Sequence, residues 1–372
     1  MKIKNLLLLN FLILILVGIN FVYAQGKILL LNSSSKKVLH LNPTDGTLVN
    51  GNFIDLSTQS AGTIKGIEQV GDKIWITDQT NDKIYIYDLT GAYVNTILPN
   101  TQIDNLRGLA VVDNEVWVTL GGSANGAVNN SVRRFDFNGN PLGNYNTVSS
   151  PFDVLNLGNG IALVSSFNTD GIEKLNYDGT SAGKLVASGI LNGVQQLSLN
   201  QDGHVIAAVF SNQASSGNSA GLYIINSSTG AIMNSWPISG GIRGAIQAGN
   251  GNYLYTNGTA LYSLDPSTGQ STQLTTGGFQ FLAKVDDPLL ATAETTKNTV
   301  SVYPNPTKGE LHIQSDTTIK NVNIYSASGQ KVMQSSGKDK SKNLNLEQLP
   351  KGIYILNIEG ENQTQNVKVI KE

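Results

Sequence analysis

The stretch DKIWITDQTNDKIYIYDLTGAYVNTI, residues 72–97, with LRGLAVVD at 106–113, decides the fold. It holds three alternating apolar runs and a fourth, separated by Asn, Asp and Gly turns, with no helical spacing. Ile74 and Ile76 point to one face of a strand and Trp75 to the other, and both faces are apolar. A strand of that kind lies in a sheet packed between two neighbouring sheets.

The same order recurs. The first run of each unit reads KILLLN, KIWITD, EVWVTL, GIALVS, HVIAAVF and NYLYTN, and the second KVLHLN, KIYIYD, SVRRFDF, GIEKLNY, GLYIIN and ALYSLD. A Gly-bearing turn follows each second run. The last runs are KGIEQV, RGLAVV, FDVLNL, VQQLSL, RGAIQA and FQFLAKV. Unit boundaries near residues 26, 72, 114, 159, 203 and 250 give spacings of 42 to 47 residues before a shorter last unit. Four short strands at this period are the signature of a propeller blade. The chain enters one strand late, so FQFLAKV is expected to complete the first blade and leave no unpaired end. The expected fold is all-β: a six-bladed β-propeller over 25–286, then a small Ig-like β-sandwich. On stretches such as KIYIYDLTG and RGLAVVDNEVWVT, residues 26–286 resemble the six-bladed propellers of the NHL and YVTN-like (surface-layer) families.

Residues 299–372 change pattern. TVSVYPNPTKGELHI, VNIYSASGQKV, LPKGIYILNIEG and NVKVIKE are short strands bounded by Gly, Pro or Asn, about seven in all. These four motifs, in order, resemble the type A C-terminal sorting domain of the type IX secretion system of Bacteroidetes. The resemblance implies a secretion address read by the export machinery at the outer membrane and then removed. It also implies a mature protein that is released or held on the cell surface. DPLLATAETTKN, 287–298, reads as the linker and processing region. Residues 25–286 carry 13 basic and 18 acidic residues, net −5, and the tail carries 9 and 7, net +2.

Lys2 and Lys4, the apolar run Leu6 to Val17 and the Val22-Tyr23-Ala24 motif form a signal peptide over 1–24, cleaved between Ala24 and Gln25. A membrane anchor is the rival reading, but Asn10, Gly18 and Asn20 interrupt the run. The net charge of −2 and the lack of a basic stripe argue against nucleic acid as a partner. There is no Cys, so neither disulfides nor thiolate chemistry.

Catalytic signatures are missing. His40, His204 and His312 lack ligand spacing, and His40 and His204 lie mid-strand or at a strand start rather than at a blade mouth, where a triad would need them. The Asp-Gly pairs at 45, 170, 178 and 202 fit tight turns better than calcium loops. SGGIRG, 239–244, precedes a strand rather than the helix that a phosphate cradle needs. Ser33-Ser34-Ser35-Lys36 matches S-x-x-K in letters only. No cofactor, metal or catalytic residue is expected. The expected ligand site is the channel mouth, where inner strands begin with Lys65, Arg107, Asp153, Gln195, Arg243 and Gln280. Asp78, Gln79, Ser166, Phe167, Asn212 and Asn257 come from neighbouring loops. Three cations against one acid suit an anionic or polar ligand. The expectation is a monomeric surface or secreted binding module for a glycan, small molecule or protein. A lactonase-like hydrolase or lyase, and an adhesive or structural component, are the alternatives.

Overall fold

A computed structural model describes residues 26–286, 300–326, 331–360 and 364–372. The expected signal peptide, its Ala24–Gln25 junction and the linker 287–298 lie outside the described residues. The chain divides into two compact units between Ala291 and Thr292.

The first unit contains six four-stranded antiparallel sheets. Sheet 1 is ordered Phe279–Val285, Lys27–Asn32, Lys37–Leu41, Leu48–Asp55, so the last strand of the unit pairs with its first. Sheet 2 runs through Ile64–Val70, Lys73–Asp78, Lys83–Asp88 and Tyr93–Ile97. Sheets 3 to 6 repeat that order over 106–146, 151–186, 192–237 and 244–276. Each innermost strand contacts the innermost strands of the sheets before and after it, and Phe279–Val285 contacts Ile64–Val70. The arrangement is a closed, propeller-like ring without a terminal sheet.

Burial follows from the two-faced strands. Ile74 and Ile76 pack in a core shared with sheet 1, among Leu29, Leu31 and Ile54. Trp75, on the opposite face, packs with Leu106, Val116, Val118 and Phe135 of sheet 3. Each sheet interface is therefore a separate apolar layer, dry on both sides of one strand.

One irregularity recurs at the start of the inner strands. The register shifts between Ile64 and Ile67, Leu106 and Leu109, Pro151 and Val154, and Val194 and Leu197. It shifts again opposite Gln280 and Phe281. A bulge leaves one residue outside the ladder and re-aims side chains. Its backbone groups need other partners, and a hydroxyl from the second strand supplies them. The Gly66 amide donates to Thr77 Oγ1 at 2.8 Å, and that hydroxyl donates to the Arg107 carbonyl of the next sheet at 2.5 Å. Ser165 and Thr256 repeat the bridge, to the Gln195 and Gln280 carbonyls, at 2.9 and 2.8 Å. Thr119 reaches the Phe152 carbonyl at 3.0 Å. Neighbouring inner strands approach so closely that a Cβ on Gly66 would sit 2.4 Å from the Arg107 carbonyl oxygen.

In the second unit the described residues form one five-stranded sheet: Ser301–Tyr303, Glu310–Ser326, Gly352–Gly360, Thr364–Lys371, with Lys331–Asn345 paired to Glu310–Ser326. About seven strands were expected. The number falls because two strands continue through register breaks rather than ending there. Glu310–Ser326 pairs near its start with Ser301–Tyr303 and, beyond the shift between Gln314 and Ile319, with Gly352–Gly360. Residues from both parts, Leu311 and Ile313 with Val322 and Ile324, share one core.

Candidate ligand-binding site

The recurrent bulge turns one side chain per sheet toward the ring axis. The Lys65 position is taken by Arg107, Phe152, Gln195 and Gln280 as the pairing registers show, and by Arg243 in sheet 6, where the Gly244 amide bonds Thr256 as Gly66 bonds Thr77. Asp153 is therefore not the rim residue of sheet 4. Pro151 pairs with Ser166 as Ile64 pairs with Asp78, which makes Phe152 the counterpart of Lys65. An aligned reading of FDVLNL against KGIEQV that matches charge rather than bulge is off by one. Asp153 lies one residue deeper, and its Oδ2 accepts from the Leu197 amide at 2.8 Å.

Lys65 closes the channel. It is 3% exposed, and its Nζ donates to Gln280 Oε1 of the adjoining strand at 2.7 Å and to Gln195 Oε1 at 3.0 Å. Sheets 2 and 5 are three apart in a ring of six, so the Gln195 bond spans the axis. The ammonium lies 4.8 Å from the Phe152 ring centroid and 5.6 Å from that of Phe281. Burial drives its pKa well below the ordinary lysine value, and the charges of Arg243 and Arg107 push the same way.

Arg107 and Arg243 stand on opposite sheets, 3 and 6. Each guanidinium is held between a glycine and a phenylalanine. Arg107 lies 4.9 Å from the Phe152 ring, and a Cβ on Gly121 would meet its Cζ and Nη2 at 2.7 Å. Its Nη1 donates to Ser150 Oγ at 2.9 Å and to the Pro151 carbonyl at 3.0 Å. Arg243 lies 5.2 Å from the Phe210 ring, and a Cβ on Gly258 would meet its Nε at 2.4 Å. The Nε of each arginine is buried without a hydrogen-bond partner. Burial brings Arg107 down to about 10 and lowers Arg243 as well. Among the described residues no carboxylate forms an ion pair with Lys65, Arg107 or Arg243. Two guanidinium groups and the Lys65 amine thus converge with no carboxylate paired to them among the described residues.

Aromatic rings floor this mouth. Phe167, half-buried, stacks on Phe152 at 5.1 Å and 27°, and lies 6.0 Å from Phe210. Phe152 is also 6.2 Å from Phe281. Phe167 was expected here from its loop. Phe152, Phe210 and Phe281 were not, although a Phe at or beside the bulge in two repeats, and Phe210 at the repeat position of Phe167, were the signals available.

The remaining loop residues divide. Asp78 is fully buried and spent on its own turn, accepting from the Gly62 amide at 2.7 Å, Asn81 Nδ2 at 2.9 Å and the Tyr85 hydroxyl at 3.1 Å. Ser166 is also fully buried, and its hydroxyl donates to the Ser149 carbonyl at 2.8 Å. Asn257 caps its loop by accepting from the Thr259 and Ala260 amides at 3.1 and 3.0 Å. Gln79 pairs with Asn105 at 2.7 Å, and Asn212, which is exposed, accepts from the Ala220 amide at 2.8 Å.

Deeper along the axis lies a cavity of about 180 Å³, lined by Glu68, Asp153, Asn156, Gln196 and apolar side chains that include Phe281. Burial pushes Glu68 up to about 8 and raises Asp153 well above the carboxylate range. The axis is thus polarised, with guanidinium groups at the mouth and carboxyls held toward their neutral form below. Among the described residues no three His, Cys, Asp or Glu side chains gather as a metal site.

The family model of the secretion system C-terminal sorting domain matches residues 301–372. No curated protein matches the chain. In fold, the chain is similar to a protein of unknown function from Bacteroides caccae, at 11% identity over 71% of this chain and 100% of that one, TM-score 0.51. It is likewise similar to a chain of a nidogen/laminin complex, at 15% identity over 70% and 98%, TM-score 0.56. Virginiamycin B lyase from Staphylococcus aureus aligns at 16% identity over 93% and 99%, with a TM-score of 0.43. At these identities the likeness is one of fold alone. The sorting domain implies dealings with the type IX secretion machinery and a destination at the cell surface or outside the cell.

Proposed function

We propose that the protein is an exported six-bladed β-propeller of the NHL or YVTN-like kind, carried out by a cleavable sorting domain with an Ig-like sandwich fold, and that its mouth binds an anionic ligand. It acts as a binding module rather than as an enzyme. The observation that carries this reading is the pair of opposed arginines, each wedged between a glycine and a phenylalanine. The Arg243 side chain makes no hydrogen bond among the described residues, although a guanidinium carries five donors. Holding such a group in place without an internal acceptor costs stability, and a bound carboxylate, sulfate or phosphate supplies the missing acceptor. Packing on both faces restricts the guanidinium before the ligand arrives, which reduces the entropy lost on binding.

The test is calorimetric titration of the full chain with small anions. Charge-assisted hydrogen bonds of about 1.5–3 kcal/mol correspond to losses of roughly 10- to 100-fold in affinity. Arg107→Ala and Arg243→Ala should each lose affinity in that range; free Arg243→Ala should melt close to wild type, and free Arg107→Ala lower, because its hydrogen bonds to Ser150 and Pro151 are lost. Unchanged affinity in the double variant places the site elsewhere.

A further inference from the structure

We propose that the anion taken at this mouth is an acidic sugar, with its acid group on Arg107, the C–H face of its ring on Phe167 and its hydroxyls toward Arg243. The inference rests on the anion-binding reading above and adds the chemical class. Its basis is a continuous shelf across four consecutive sheets. Arg107 of sheet 3 stacks on Phe152 of sheet 4, Phe167 stacks on Phe152 and approaches Phe210 of sheet 5, and Arg243 of sheet 6 stacks on Phe210. A bare inorganic anion uses an arginine end of this shelf and leaves its apolar centre wet. A ring that carries an acid group covers both.

The rim separates a sugar from an aromatic acid. The loop side chains beside the shelf are polar rather than apolar, with amides at the front and the carboxylates of Asp82, Asp104 and Asp170 bonded to neighbouring loops. Gln79 and Asn105 bond each other, Asn168 is exposed and donates to Ser149 Oγ at 3.1 Å, and Asn212 is exposed. Amides donate and accept, as do the hydroxyls of a sugar ring, whereas a benzenoid acid offers them no partner. Arg107 is built in, being 9% exposed with a buried, unpartnered Nε. Gly121 is what admits it. That residue's φ lies outside the left-handed region, so an alanine there is conformationally allowed and its Cβ would overlap the guanidinium.

The full chain is titrated calorimetrically with galacturonate, galactose, benzoate and inorganic sulfate. Galacturonate should bind about tenfold more tightly than sulfate or benzoate, as expected for one stacking contact, and galactose should not saturate. Phe167→Leu should lose that tenfold for galacturonate and leave sulfate unchanged, and Phe167→Tyr should retain it. Gly121→Ala should weaken both anions. Melting midpoints identify any variant that fails to fold, and the tyrosine variant and the wild-type ligand ranking then still decide the question. Sulfate equal to galacturonate overturns the sugar assignment but keeps the anion site. Benzoate as tight as galacturonate overturns it in favour of aromatic acids. Binding of galactose equal to that of galacturonate, or no binding of any anion, overturns the anion reading itself.

Discussion

At the scale of single residues, the axis of the ring is held together by groups whose charge is expensive. Glu68 is half-buried at the cavity wall with no hydrogen-bond partner among the described residues, and desolvation there raises it to about 8 from an ordinary 4.5. The native state therefore holds a proton on Glu68 between those values while the unfolded chain does not. The associated stability is fully present below about 4.5 and is lost as pH rises through about 8. Lys65 shifts in the opposite sense, since its lowered pKa makes the unfolded chain the better proton binder up to the ordinary lysine value of 10.5. Comparing wild type with Glu68→Gln isolates the carboxyl. The melting temperature of the variant should fall less between pH 5 and 9 than that of wild type. Parallel pH profiles would show that Glu68 titrates normally, in a wetter channel than its burial implies.

At the scale of elements, the hydroxyl bridge is the joint between sheets. Thr77 satisfies a bulge amide of its own sheet and a carbonyl of the next, and both groups are buried. Thr77→Val keeps the shape and removes the bridge. Leaving the Gly66 amide unpaired should cost about 1–3 kcal/mol in denaturant unfolding, more than a volume-matched change elsewhere in that strand. A loss within about 0.5 kcal/mol would mean that water or a backbone shift replaces the hydroxyl. The bridging hydroxyl recurs at one repeat position as Thr77, Thr119, Ser165 and Thr256, where sheet 5 has Ala208 and sheet 1 has Leu31, but it was not singled out in the sequence. Its purpose was not legible, because the bulge that creates the need is a property of pairing between strands. The same bulge accounts for the one-residue error at Asp153.

For the whole molecule, the two units have separable tasks. The sorting domain is an address, and the ring carries the candidate site. Protein recovered from the cell surface or culture fluid should lack both residues 1–24 and the segment from Tyr303 to Glu372, by intact-mass measurement. Exported material that still carries Tyr303–Glu372 would refute removal of the address. Closure of the ring through Phe279–Val285 also ties the site to the integrity of the whole first unit. That strand pairs with Lys27–Asn32 and supplies Gln280 to Lys65.

What the amino-acid sequence determined by itself was periodic or local. The strands, their order and the phase that brings FQFLAKV back to KILLLN follow from alternation, turn chemistry and a repeat length, all of which act between near neighbours. The sorting tail was recognisable because its motifs are contiguous. Only the tertiary structure decided how the mouth is built. Lys65 meets Gln195 across 130 positions of chain, and Arg107 finds its places beside Gly121 and Phe152 through contacts between sheets. A charged residue at a strand start has the same sequence signature whether it faces solvent, plugs a channel or waits for a ligand. Burial and stacking separate those cases, and both arise only when six distant segments close around one axis.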